Sequence, residues 1–153
     1  TEALANFEDT HRTCNLILGV GDSKNSMVNA IEYSGYTLTA YSDQDLLPQN
    51  ETWHPVIEDV VYNAMDWNCP NYDTVMADQL NKYHGNIDEE VSVRNILPTV
   101  QSGDLHIALY DLTEMNMHVS FCRKSDAPET EPHYAYERQF TRLHMNDLFA
   151  EPA

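Results

Sequence analysis

Residues 103–121, GDLHIALYDLTEMNMHVSF, contain the pattern that decides the fold class of this chain. Two apolar runs, at 105–110 and 115–121, flank the short connection 111–114. Apolar and polar residues alternate along each run, which is typical of a strand whose two faces meet different surroundings. The stretch therefore predicts an antiparallel β-hairpin with its turn at 111–114.

The first third of the chain repeats this kind of pattern without repeating the sequence. Apolar, β-favouring runs occur at 14–20, 27–33 and 36–41. They are separated by turn-forming residues, Gly-Asp-Ser-Lys-Asn at 21–25 and Ser-Gly at 34–35. Three successive antiparallel strands are the simplest prediction.

Helical spacing takes over in the middle of the chain. Apolar residues recur every three to four positions between Pro70 and Gly85, which predicts one helix. A second helix is expected from an N-cap at Asn86, supported by Glu89, to the residue before Pro98. Residues 56–65 are weakly helical in pattern, and 139–145 predict a closing strand or helical turn.

The order of these elements indicates the α+β class. Strands come first, helices follow and strands return, which favours helices on one face of a mainly antiparallel sheet. With 153 residues, 42% of them hydrophobic, the chain has the size of a single domain with its own core.

Charge and hydropathy limit the partners. The chain has 25 acidic residues against 8 Lys and Arg, a net charge of -17, so a nucleic-acid partner is not expected. No apolar run has the length needed to span a bilayer. A solvated acidic surface explains this charge, and an acidic compartment, where carboxylates are partly protonated, is the alternative.

Several common catalytic and binding motifs are absent from the sequence. Residues 19–22, Gly-Val-Gly-Asp, lack the further Gly and the Lys-Ser/Thr pair of a phosphate loop, and no G-x-S-x-G elbow occurs. The seven histidines show no H-x-x-x-H spacing, so neither a metal nor another cofactor is predicted. His106 and His118 fall on the predicted 103–121 hairpin, where they could pair across strands.

The cysteines allow at most one internal disulfide, because there are three of them, Cys14, Cys69 and Cys122. Arg12 lies close enough in sequence to Cys14 to lower the pKa of a thiol there. However, an N-terminal nucleophile must be the first residue, and thirteen residues precede Cys14. An inert cysteine at the start of a buried strand is the better interpretation.

The loop 50–55 is the densest group of functional side chains outside the predicted elements. Trp53 and His54 are candidate substrate-binding residues there, and a packed aromatic turn is the alternative. Asn50 also starts the triplet Asn-Glu-Thr, the acceptor pattern for N-glycosylation.

Seven stretches carry a resemblance to a known family. They are RTCNLIL at 12–18, AIEYS at 30–34, ETWHP at 51–55, MDWNCP at 65–70, KYHGNI at 82–87, GDLHIALYDLT at 103–113 and DLF at 147–149. On these stretches the chain resembles the penicillin acyltransferase-like, or acid ceramidase-like, branch of the N-terminal nucleophile (Ntn) cysteine hydrolases.

The resemblance implies that this chain is the C-terminal portion of such a hydrolase. Members of the family fold as an αββα sandwich, and autocatalytic cleavage exposes a cysteine that attacks a linear amide bond. Asn50 or Asn15 would then be the oxyanion donor, with Trp53 and His54 as pocket wall. A glycosylated Asn50 could not also be a buried donor, so these two predictions exclude each other.

The chain departs from the family pattern because the nucleophilic cysteine is missing. The resemblance therefore implies a partner, either the N-terminal part of the same precursor or another chain, and inactivity of this portion alone. The substrate class would be small acylated amines or N-acyl lipids, in a secreted glycoprotein or in a lysosome or vacuole. The alternatives are a non-catalytic structural or binding component on an Ntn-like scaffold and an unrelated acidic α+β domain.

Overall fold

The computed structural model describes residues 2–45, 54–63, 71–125, 127, 130, 131 and 133–152. The chain divides into two compact units, Thr1–Asp78 and Gln79–Ala153. Their helices and strands are given unit by unit below, because each unit has its own three-stranded sheet.

The N-terminal sheet contains β1 (Leu16–Asp22), β2 (Met27–Tyr33) and β3 (Leu38–Ser42) in that order, all antiparallel. The three strands predicted for this part of the chain are confirmed. Register places Ile31 between Leu18 and Ala40, and Ile31 is fully buried. Tyr41, on β3, is also buried. These apolar side chains, with the buried Asn29 beside Ile31 on β2, form the core of this sheet.

A helix that the sequence did not suggest, α1 (Glu2–Asp9), precedes this sheet. Arg12 connects the two: its Nε donates to the carbonyl of Ser34 at 2.8 Å and its Nη1 to that of Phe7 at 3.1 Å. The ring of Phe7 meets the ring of Tyr33 edge-on at 5.9 Å. Arg12 thus caps the carbonyl end of α1 and ties it to the end of β2.

The β1–β2 turn is organised by Asp22. Its Oδ1 accepts the backbone amides of Lys24 at 3.0 Å and Asn25 at 3.4 Å. Ser26 completes the turn with a φ of 49°, in the left-handed region. The side-chain amide of Asn25 donates to Asp22 Oδ2 at 2.6 Å, and this bond is the main reason why the pKa of Asp22 lies below 3.8.

Residues 54–63 are not helical, so the weak helical prediction for 56–65 is wrong over the residues described there. Ile57 and Val60 form an isolated antiparallel bridge, with the amide of Val60 donating to the carbonyl of Ile57 at 3.2 Å. Asp59 has a φ of 57°, which a continuous right-handed helix does not allow. The apolar spacing here reflects a buried turn instead, since Ile57 is buried.

The first of the two predicted helices is confirmed as α2 (Asn71–Lys82). The second is displaced. Its N-cap is Asp88, whose Oδ1 accepts the amide of Val91 at 2.7 Å, not the predicted Asn86. It consists of α3 (Glu89–Val91), a π-helical segment (Ser92–Ile96) and α4 (Leu97–Val100).

Pro98 does not end this second helix, contrary to the prediction. It lies in the first turn of α4, after the π-helical segment, in a position where a backbone N–H is not needed. The helix ends instead at Gln101, which adopts the left-handed conformation with a φ of 55°.

The C-terminal sheet contains β4 (His106–Asp111), β5 (Asn116–Phe121) and β6 (Thr141–His144), again all antiparallel. The predicted 103–121 hairpin is confirmed. A 3₁₀ turn (Ala135–Glu137) comes before β6, and α5 (Met145–Ala150) follows it directly.

The β4–β5 turn has the same construction as the β1–β2 turn. Asp111 Oδ1 accepts the amides of Thr113 at 2.9 Å and Glu114 at 3.0 Å, and Met115 has a φ of 55°. The carbonyl of Met115 also accepts the amide of Met145 at 2.8 Å, which joins this turn to the start of α5.

These two antiparallel sheets and their helices confirm the α+β class. Among the helices of the described ranges, none combines the length and hydropathy that crossing a bilayer requires.

Candidate functional site

The one histidine of the predicted pocket, His54, lies in a buried polar cluster of the first unit. Its Nδ1 is 3.3 Å from Oδ1 of Asp73, and the two side chains are 0% and 2% exposed. The ring of Tyr62 stacks on the imidazole, with centroids 4.1 Å apart and planes inclined by 14°. We call His54, Tyr62 and Asp73 the buried cluster.

Tyr62 fixes the geometry of this cluster through its hydroxyl. The Tyr62 Oη donates to the carbonyl of Pro55 at 2.6 Å. Burial, together with the nearby charge of Asp73, raises the pKa of Tyr62 to about 12. The phenol is therefore neutral at physiological pH and remains a hydrogen-bond donor. Its bond to Pro55 keeps the Tyr62 ring stacked on His54, the residue before Pro55.

The buried cluster is suited to holding residues 54–63 onto α2. A carboxylate with so little exposure needs a polar partner, and the imidazole of His54 lies within 3.3 Å of it. Neither side chain reaches solvent, so this arrangement itself offers no open position for a substrate. The prediction that His54 forms pocket wall stays a prediction, and Trp53 lies outside the described residues.

Sequence reasoning missed Asp73. It lies nineteen positions from His54, and its place in the first turn of α2 is explained equally well by the helix dipole. No local spacing rule could have joined these two residues.

The two candidate oxyanion donors are not brought together by any described contact. Asn15 is exposed and directly precedes β1, whereas Asn50 lies outside the described residues. Cys14 is an exposed free thiol and Cys122 a partly buried one; Cys69 is another residue of which the structure describes nothing. The expectation of a cysteine at the start of a buried strand is therefore wrong, because Cys14 lies two residues before β1 and the residues of β1 are themselves exposed or half-buried.

The C-terminal sheet carries a second group of polar side chains on one face. Asn116 is buried, and its Oδ1 lies 2.8 Å from Nδ1 of His144. This hydrogen bond links β5 to the end of β6, and which of the two groups donates depends on the His144 tautomer. Ser120, buried on the same face, donates from its Oγ to the carbonyl of Ala135 at 2.7 Å.

His106 and His118 do not pair across the hairpin. Register places His106 opposite Phe121 and His118 opposite Leu109, so the two imidazoles lie on opposite faces of the sheet. Along the parts of the chain that can be described, no three His, Cys, Asp or Glu side chains are grouped so as to hold a metal ion.

The face of the C-terminal sheet that includes His106 is mostly apolar and largely exposed. Tyr110 is 55% exposed and Phe121 is 63% exposed. We call this surface the apolar face. Strand alternation and register assign it eight residues, none of which carries a carboxylate: His106, Ala108, Tyr110, Met117, Val119, Phe121, Thr141 and Leu143.

Comparison with known proteins identifies two relatives, both from Dictyostelium discoideum. Protein dcd1A is 32% identical over 155 residues, which cover 97% of this chain and 35% of the relative. Protein dcd1B is 29% identical over 161 residues, which cover 98% of this chain and 31% of the relative. No family model and no solved structure matches the chain. The chain is thus similar to dcd1A and dcd1B almost throughout, while spanning about a third of their length.

Proposed function

We propose that this chain is the C-terminal portion of a cysteine-type Ntn amidase or acyltransferase acting on linear amide bonds. A preceding stretch of the precursor, or a partner chain, supplies the nucleophilic cysteine after autocatalytic cleavage. The substrate class is small acylated amines or N-acyl lipids. The site of action is an acidic, lysosomal or vacuolar compartment, or the exterior of the cell.

The observation that carries the proposal is where the family-like stretches fall in the fold. Residues 12–18 lead into β1, residues 30–34 end β2, and residues 103–113 form β4 with its turn. Three of the seven stretches thus coincide with strands of antiparallel sheets, the kind of sheet from which an αββα sandwich is built. The relatives of about threefold length support a larger protein that includes a further segment.

Asn15 and Asn50 are the proposed oxyanion donors. A side-chain amide aimed at the developing negative charge stabilises the tetrahedral intermediate, and its removal costs mainly turnover. Exposure of Asn15 directly before β1 leaves its amide accessible to a group presented by another segment. Trp53 and His54 are proposed as pocket wall, where burial of His54 favours a supporting position behind the surface that contacts substrate.

The experiment uses the full-length polypeptide and a series of fluorogenic N-acyl amides. We expect Asn15→Ala or Asn50→Ala to lower kcat by about 10²- to 10³-fold while leaving KM nearly unchanged. Asn6→Ala, on the exposed side of α1, is the matched control and should retain full turnover. Full turnover in both candidate variants would remove the oxyanion assignments.

Thr52→Ala separates the catalytic and glycosylation hypotheses for Asn50. This substitution destroys the acceptor triplet and keeps the amide. If Asn50 is glycosylated, the variant loses the mass of a glycan with unchanged kcat. If Asn50 is the donor, the mass changes only by the Thr-to-Ala difference and kcat stays constant.

The alternative is a non-catalytic component that uses an Ntn-like scaffold for assembly. The burial of both His54 and Asp73 favours it, since side chains without exposure to solvent act as structural supports. A folded full-length protein without hydrolysis or acyl transfer on any amide of the series would favour this alternative over the amidase.

A further inference from the structure

The C-terminal sheet leaves a mostly apolar face exposed, although its other face is already protected. An antiparallel sheet usually buries its apolar face and exposes its polar one. Here Ile107 and Leu109 are half-buried beside the buried Asn116 and Ser120, so the protected face is mixed. Tyr110 and Phe121, on the opposite face, are more than half exposed. Buried hydrogen bonds, such as that from Ser120 to Ala135, hold the protected face in place. The apolar face is therefore the side still to be covered.

The composition of the apolar face differs from that of the rest of the chain. The protein has 25 acidic residues among 153, yet none lies among the eight of this face. Charge depletion with exposed aromatic residues is typical of the centre of an interface between polypeptides. Exposed contiguous apolar surface of this kind usually marks an interaction site.

We infer that the apolar face is the docking surface for polypeptide that lies outside residues 1–153 of the same precursor. The inference rests on the proposed function, in which such a segment brings the nucleophile. Its further support is the length of dcd1A and dcd1B, about two thirds of which lies outside the matched region. A three-stranded face of alternating side chains suits a second sheet, packed about 10 Å away.

The test places a photo-cross-linking residue in the full-length polypeptide. We substitute Phe121→p-benzoylphenylalanine, with Tyr36→p-benzoylphenylalanine as the control, because Tyr36 is 98% exposed in the β2–β3 turn. After irradiation, mass spectrometry should find Phe121 cross-linked to peptides outside residues 1–153 of the same precursor. The yield should exceed that at Tyr36 by about tenfold.

Three outcomes overturn the inference: a cross-linked dimer of two identical chains, cross-links confined to residues 1–153, and a yield no higher than at Tyr36. Hydroxyl-radical footprinting of the unsubstituted protein gives a second measurement that does not depend on whether the substituted proteins fold. Tyr110 should oxidise at least about fivefold more slowly than Tyr36, and equal rates would contradict docking.

Failure here is distinguishable from failure of the proposed function. Hydrolysis of amides by a protein whose apolar face stays reactive would overturn the docking surface and leave the amidase. Protection of the face in a folded protein without amide chemistry would overturn the amidase and leave the docking surface.

Discussion

The N-terminal and C-terminal sheets share a turn and differ in what they bury. Asp22 and Asp111 each cap a four-residue turn through two backbone amides, and each turn ends in a residue with positive φ. Beyond the turns, the N-terminal sheet buries the apolar side chains of Ile31 and Tyr41 together with polar Asn29. The C-terminal sheet buries polar Asn116 and exposes aromatic Phe121.

This difference shows that the turns are determined by neighbouring residues, whereas the burial of a strand face is determined by distant parts of the protein. The turn depends on a few neighbouring residues, since an Asp carboxylate and one left-handed residue suffice to form it twice. The buried face depends on what packs against the sheet, which local sequence does not specify. The C-terminal sheet is therefore where the protein should respond most strongly to a partner segment.

The largest expected effect is the difference in unfolding free energy between truncating a buried side chain of the N-terminal sheet and an exposed one of the C-terminal sheet. Ile31→Ala should lower the free energy of unfolding by about 3 kcal/mol, because it empties a fully buried site. Phe121→Ala should cost less than about 1 kcal/mol in the 153-residue chain, because that ring is mostly exposed. Urea denaturation followed by circular dichroism measures both. Equal losses would mean that the apolar face is already covered within these residues.

The next largest effect is the difference in stability cost between replacing Gly103 and replacing Gly19 by alanine. Gly103 has a φ of 96°, and a Cβ there would lie 2.2 Å from Cγ1 of Ile107. Gly103→Ala should therefore cost about 2 kcal/mol through strain and overpacking. Gly19→Ala, in β1, meets nothing within 4 Å and should change stability by less than about 0.5 kcal/mol. Thermal unfolding checks the pair, and similar shifts in Tm would contradict the strain at Gly103.

The shared turn can be weakened in the C-terminal sheet alone. Asp111→Ala removes the acceptor of two backbone amides and should cost about 1 kcal/mol, by analogy with the loss of a helix cap. Glu114→Ala, in the same turn, keeps both amide bonds and is the control. If the two variants unfold at the same urea concentration, Asp111 does not organise the turn.

The smallest expected effect is the pH dependence of the N-terminal turn. Because the pKa of Asp22 is lowered in the folded protein, its contribution is complete above the ordinary value of 3.8 and disappears as the pH falls through the folded value. Asp22→Asn should therefore flatten the acid limb of the stability curve. Asp9→Asn, at the end of α1, serves as the control; an acid limb unchanged by Asp22→Asn would refute the charged hydrogen bond to Asn25.

Sequence reasoning predicted the regular elements well because their signals are local. The 103–121 hairpin follows from period-two alternation around Asp111, and α2 follows from helical spacing between Pro70 and Gly85. The second helix was displaced by two residues at its N-cap because Asn86 and Asp88 are both good caps. The choice of Asp88 depends on which side chain reaches the amide of Val91.

The candidate site was predictable only in part because its contacts are non-local. His54 was identified from its loop, but its pairing with Asp73 and its stacking on Tyr62 require the fold. Likewise, the alternation of β4 and β5 gives two faces without saying which one is buried. Helix α1 was missed because its support is not local. Arg12 anchors it by donating to the carbonyls of Phe7 and Ser34, and the second of these contacts exists only in the folded sheet.

The central claim is that the reactive thiol belongs to polypeptide outside residues 1–153. The most direct measurement treats the native, full-length material with an acylating β-lactone probe and maps the labelled residue by mass spectrometry. The account predicts a single label on a cysteine at the N-terminus of a processed chain, outside residues 1–153. Labelling of Cys14, Cys69 or Cys122, or amide hydrolysis that continues with no cysteine labelled, would contradict it.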